Sequence, residues 1–111
     1  MKEIKYKVYQ VKEISKIDYW CMGYKWAVAH GFSLDNYQVV YEGVLQSYTE
    51  EEAKAKGKPY YKSTEEKLDA LFALFNHNHP TTYTGRSMFT SDILEFEGVK
   101  YYKNPKEWIK L

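Results

Sequence analysis

The sequence predicts an α+β fold: about four strands in a mainly antiparallel sheet, with two main helices packed on one face. Three observations point there. Residues 4–11 alternate at the period of a strand, and residues 68–75 repeat apolar side chains at the period of a helix. Glu97-Gly98 separates two short apolar and aromatic runs, the pattern of a tight hairpin.

The elements follow in order. In Ile4 to Val11, Ile4, Tyr6 and Val8 share one parity and Lys5 and Lys7 the other, so the strand has one wet face. Ile17 to His30 reads as a helix with Trp20, Tyr24, Ala27 and Val28 on one side, Asp18 at its start and Gly31 at its end. Tyr37 to Leu45 carries apolar residues on both faces and reads as an interior strand, with Gly43 at a bulge or strand end. Thr49 and Glu52 have capping-box spacing, but the run to Gly57 lacks an apolar stripe. A short exposed helix or a mobile insertion is therefore expected there, with residues 49–62 as an insertion or mobile segment.

A second capping pattern, Ser63 to Glu66, opens the best-supported helix. Leu68, Leu71, Phe72 and Phe75 repeat at helical spacing, and burying them is worth about 6–12 kcal/mol gross. The entropy of ordering the chain cancels most of that, so loss of Phe72 is expected to be severe. Pro80 stops the helix. Residues 81–91 are polar and turn-rich, 93–102 form the hairpin, and 106–109 are expected to add a helical turn that lays Trp108 on the core.

At 111 residues the chain forms one domain, 1–111, and buries roughly 65% of its unfolded surface. A net charge of +1 writes no long-range attraction to nucleic acid or acidic membrane into the totals. The single cysteine, Cys21, excludes an intramolecular disulfide. The start, Met1 to Lys5, lacks the apolar run of a signal peptide, and no stretch approaches a membrane span, so a cytoplasmic protein without a membrane partner is expected. Twelve tyrosines suit either a core or a contact surface.

The candidates for chemistry are few. His77 and His79 have a spacing that holds zinc on a strand, but they follow a helix and precede a proline. No metal and no cofactor is expected. Ser87, Ser91 and Asp92 group a hydroxyl with an acid but lack a placed histidine, and such residues before a strand more often bond their own backbone. Cys21 lies between Trp20 and Met22 without a nucleophile signature and reads as an inert thiol. Lysines crowd both ends. If the first and last strands were neighbours, Lys5, Lys7, Lys100 and Lys103 with Tyr9 and Tyr102 would form a stripe suited to single-stranded nucleic acid; the plainer reading is a solvated strand face.

Several short motifs occur together. They are Tyr6 to Gln10, Tyr41-Glu42-Gly43, Phe75-Asn76, His79-Pro80, Gly85-Arg86-Ser87 and Ser91-Asp92. In this order, and over most of the chain, they resemble the YodL-like domain family. Family members tend to repeat serine between the glycine and the aspartate, where this sequence has Phe89-Thr90. The resemblance implies a small bacterial domain, frequent in Gram-positive hosts, their phages and conjugative elements, with no established shared enzymatic activity. The expected function is a non-enzymatic protein-binding module of a mobile element or phage, an inhibitor of a host defence or nuclease complex. Its expected surface is His77, His79, Tyr83, Arg86, Ser87, Ser91 and Asp92, its partner a host protein or complex, and its state a monomer or homodimer. The alternatives are a nucleic-acid binder using the lysines and a metal-dependent hydrolase.

Overall fold

The alternation at the start of the chain becomes β1, Lys2–Val11, which lies inside the sheet. The structure, a computed structural model, describes residues 1–77 and 79–111. After β1 come α1 (Tyr24–Ala29), β2 (Tyr37–Ser47), α2 (Glu50–Lys56), α3 (Thr64–His77), β3 (Ile93–Phe96), β4 (Val99–Lys103) and β5 (Trp108–Lys110). The fold is α+β, and its sheet is antiparallel throughout in the order β2-β1-β3-β4-β5. That is five strands where the sequence suggested about four. The fifth is the C-terminal run expected to be helical: Trp108 pairs with Lys103 and Ile109 with Tyr102. Among the described residues no helix is long and apolar enough to cross a membrane.

The period-two pattern divides the sheet into two faces. Ile4, Tyr6 and Val8 of β1 share a face with Leu94 and Phe96 of β3, beneath Leu68, Leu71 and Phe75 of α3. Ser63 caps α3 by accepting from the Glu66 N–H at 3.2 Å, and the Glu66 carboxylate reaches back to the Lys62 N–H at 3.3 Å. Phe75 is wholly buried, whereas Phe72 is half-buried at the rim, edge-on to Trp108. The opposite face is covered at one end only, where Val11, Ile93 and Tyr102 pack against Tyr19, Ala27 and Tyr37. The other end is an open groove of about 820 Å³ flanked by Lys5, Lys7, Glu42, Val44 and Glu95.

Several local expectations change. The helix expected over 17–30 is reduced to the six residues of α1, and it lies on the face opposite α3. Cys21 has a φ of 68°, which no right-handed helix contains, so the chain turns there and α1 starts after Gly23. Asp18 gives no cap; its carbonyl accepts from Trp26 Nε1 at 3.1 Å. β2 is an edge strand, not an interior one. Tyr41 and Leu45 supply its inward face, while Val39 and Val44 stay exposed on the other. Its bulge falls at Val40, between the pairs Val8 with Tyr41 and Tyr9 with Val39, so Gly43 lies in regular strand. Residues 50–56 form the short helix that the sequence allowed, α2, opened by the Thr49–Glu52 capping box, closed at Gly57 and with Ala53 buried. Glu97 and Gly98 take φ of 53° and 80°, the left-handed pair of a two-residue hairpin turn, as their sequence predicts.

Nine of the twelve tyrosines belong to the core: Tyr6, Tyr19, Tyr37, Tyr83 and Tyr102 are buried, and Tyr9, Tyr24, Tyr41 and Tyr101 are half-buried against them.

Gly43 stands opposite Tyr6, and a Cβ there would lie 2.6 Å from the Tyr6 hydroxyl. That ring is held between Tyr41 and Phe75. Gly43→Ala is expected to cost about 1–3 kcal/mol in urea unfolding; an unchanged midpoint would mean that the ring moves aside freely. Phe75→Ala is expected to cost about 3–5 kcal/mol, and clearly more than Phe72→Ala. Equal losses would place the weight of the core at the rim.

Candidate functional site

The loop between α3 and β3 is polar and turn-rich, yet it is anchored at every few residues. Asn76 donates to the Met88 carbonyl at 2.7 Å, and the Met88 N–H bonds the Phe75 carbonyl at 3.1 Å. The Tyr83 N–H bonds the Pro80 carbonyl, and its hydroxyl donates to the Arg86 carbonyl. Met88 and Tyr83 carry the loop into the core under α3.

The central anchor is Gln10, on β1. Its side-chain oxygen accepts from the Arg86 N–H at 2.9 Å and its nitrogen donates to the Arg86 carbonyl at 2.9 Å, so the amide pairs with Arg86 as another strand would. The same nitrogen donates to Asp92 Oδ2 at 3.0 Å, and the Phe89 N–H reaches that oxygen at 2.9 Å. Gly85 makes this approach possible, because a Cβ there would lie 2.6 Å from both Gln10 Oε1 and the Tyr83 hydroxyl. Gln10 and Asp92 are almost completely buried.

Arg86 is a third exposed along its side chain. Nη2 donates to the Val11 carbonyl at 3.4 Å, and Nη1 stands 4.0 Å from Asp92 Oδ1. The guanidinium lies 5.7 Å from the centre of the Trp20 ring, which stacks on Phe89 with centres 6.2 Å apart. Trp20 Nε1, Arg86 Nη1 and Asp92 Oδ1 are buried without a hydrogen-bond partner. Ser91, with a φ of 82°, is wholly buried; its hydroxyl accepts from the Cys21 N–H at 3.2 Å and its carbonyl from the Tyr37 hydroxyl at 2.7 Å. Two non-glycine residues with positive φ, Cys21 and Ser91, thus hold each other where the Trp20 turn meets the loop.

The sequence-predicted residues therefore separate. Tyr83, Arg86 and Asp92 come together around Gln10 and Ser91 lies against Cys21 and Tyr37, but Tyr83, Ser91 and Asp92 face inward. Ser87 is exposed beside them. His77 and His79 are exposed, and His79 packs its ring 4.9 Å from Tyr83; Asn78 between them lies outside the described residues. Among the described residues no group of three or more His, Cys, Asp or Glu side chains is placed to hold a metal ion. Sequence reasoning missed Gln10, Trp20 and Phe89. Gln10 carried a signal: it continues the parity of Ile4, Tyr6 and Val8, where the pattern calls for another core residue and an amide stands instead.

The lysines do not share a stripe. β3 lies between β1 and β4, and its Glu95 accepts from Lys100 at 3.0 Å. Lys7 pairs with Glu42 at 3.4 Å, and Lys5 is exposed beside it on the same face. Lys103 is buried over Phe72 and Trp108 and donates to the Asn104 carbonyl at 2.8 Å; burial lowers its pKa, against the charge of Asp69.

Burial dominates the acid–base character of the cluster. It pushes the Asp92 carboxyl up to about 6, outweighing the Phe89 N–H, the Gln10 amide and the Arg86 charge. Burial and then the Asp92 charge raise the Cys21 thiol, against Arg86, so it stays protonated. Tyr83 is raised to about 12, chiefly by burial, and keeps the proton it donates. A carboxyl raised on folding holds a proton that the unfolded chain has released, so its contribution is full below about pH 4 and is lost as pH rises through about 6. The stability of the native chain relative to Asp92→Asn is therefore expected to fall by about 3 kcal/mol between pH 4 and 7, read from urea unfolding of both proteins. Glu95 has the opposite sign: burial works against its charge, but Lys100 and Tyr9 outweigh it and lower its pKa, an effect that cancels in the comparison. A pH-independent difference would mean that Asp92 is ionised throughout.

A family model, the YodL-like domain, matches residues 5–104, from β1 to just past β4. No curated protein and no solved structure matches the chain.

Proposed function

The chain belongs to the YodL-like domain family, and from that premise and the loop geometry we propose that it is a non-enzymatic protein-binding module. The observation that carries this reading is the Trp20–Phe89 stack beside Arg86. Phe89 is 48% exposed although it is a large apolar ring, and it sits on a loop held rigidly from beneath. Met22 and Trp26, from the same turn and the start of α1, add further exposed apolar surface. Tryptophan and arginine are the residues on which interface energy concentrates, and a ring already fixed loses little entropy on binding. The finer form of the proposal is an inhibitor carried by a phage or mobile element and aimed at a host defence or nuclease complex. It rests on the genetic setting that the resemblance implies. The nucleic-acid reading has less support, because Lys7 and Lys100 are paired with carboxylates and Lys103 is buried.

Tyr83 is unsuited to a test, since it belongs to the core. Phe89→Ala and Arg86→Ala are the informative changes. Each is expected to lower the yield of partner captured from host lysate by roughly tenfold or more, with the melting temperature of Phe89→Ala near that of the native chain. Capture should survive nuclease treatment. Unchanged capture by both variants would remove this surface from the function, and loss of every partner on nuclease treatment would favour nucleic acid.

A further inference from the structure

The two edges of the sheet are built differently. β5 is three residues long, ends in Lys110 and follows Pro105 and Lys106, the short and charged form that discourages strand addition. β2 is eleven residues long and contains no lysine, arginine or proline; Glu42 is its single charge. Among the described residues no strand or loop hydrogen-bonds its outer backbone edge. Val39 and Val44 stand 45% and 48% exposed along it. Such an edge is a template for another extended chain.

We infer that β2 pairs with β2 of a second copy, antiparallel, about a two-fold axis at Gly43. The chain supplies the matching strand itself, and an isologous contact needs no other partner. From Tyr41 to Ser47 the strand is regular, so residues of one parity share a face. An axis at Gly43 sets Glu42 against Val44 of the second copy and Tyr41 against its Leu45. The two Glu42 carboxylates are then offset diagonally and not directly opposed, and apolar side chains stand opposite each other on the α3 face of the sheet. This surface is separate from the Trp20–Phe89 loop, so either proposal can fail without the other.

The register makes a charge-sign prediction. Val44→Glu sets a new carboxylate against Glu42 of the second copy, on both sides of the axis. The same change also puts a carboxylate opposite Lys5 within its own sheet, which favours folding. Val44→Lys instead faces Glu42 with a cation, although it also stands opposite Lys5 within its own sheet, so urea unfolding of this variant is read alongside its association. Sedimentation across roughly a hundredfold range of concentration is expected to show the native chain approaching twice its 13.2 kDa, with Val44→Glu weakened by about tenfold or more and Val44→Lys associating as tightly as the native chain. Hydrogen exchange of the native chain supplies a readout free of mutation: amides in 37–47 should slow as concentration rises. A native chain that stays monomeric throughout, a dimer indifferent to both variants, or equal loss in both would each overturn the pairing.

Discussion

Asp92 Oδ2 accepts from the Phe89 N–H and from the Gln10 amide, and through those two bonds the loop from Pro80 to Ser91 is fixed to an inner strand of the sheet. The anchorage is costly in isolation, because an ionised carboxylate has been taken out of water. It persists because the surrounding polar groups are mostly already committed. Gln10 engages Arg86 with both ends of its amide, Tyr37 holds the Ser91 carbonyl, and Ser91 N–H and Asp92 carbonyl continue the ladder to Lys103. Removing one partner leaves the others buried without one, which is why such a network behaves as a unit.

That network sits where the two halves of the core meet. On one face of the sheet α3 covers Tyr6, Val8, Leu94 and Phe96 in the ordinary manner of a helix on a sheet. On the other, the six residues of α1 are too few to do so, and rings take over: Tyr24, Phe32, Tyr37 and Tyr102 pack edge to face or tilted with centres 5.2–5.8 Å apart. Large rings let an irregular segment bury as much surface as a longer helix. The same arrangement leaves half of that face as an open groove and β2 as a bare edge.

Much of this was legible in the sequence. The strand of alternating parity, the helix marked by Leu68, Leu71 and Phe75, the Glu97-Gly98 turn and the family all follow from local patterns, because period and turn chemistry are local. What was not legible depended on which strands became neighbours. β2 reads as interior because both its faces are apolar, yet one of those faces is simply left exposed. The lysines at the two ends of the chain form a stripe only if β1 adjoins the C-terminal strands, and the hairpin's first strand intervenes. Trp20 fits a helical stripe on paper, but Cys21 breaks the helix with a positive φ. Gly85 and Asp92 were visible as motif residues; that their partner is Gln10, 82 positions before Asp92, was not.

A buried carboxyl with a raised pKa beside an arginine and a cysteine is a pattern that often marks an active site. Under the proposed binding reading the same groups have a structural use. Asp92 is shut away from solvent, and its better-placed oxygen is occupied by two donors that belong to the fold. The Cys21 thiol is held protonated, and the Ser91 hydroxyl is engaged by a backbone N–H. A general acid or nucleophile must reach a substrate atom, and Ser91 and Asp92 are wholly buried. What the arrangement delivers to the surface is position: Arg86 fixed by its backbone at Gln10, and Phe89 fixed by its N–H at Asp92, so that cation and ring flank Trp20. An arginine and two aromatic rings held in place would suit the interface anchor proposed above, and the positive φ at Cys21 and Ser91 is part of what holds them.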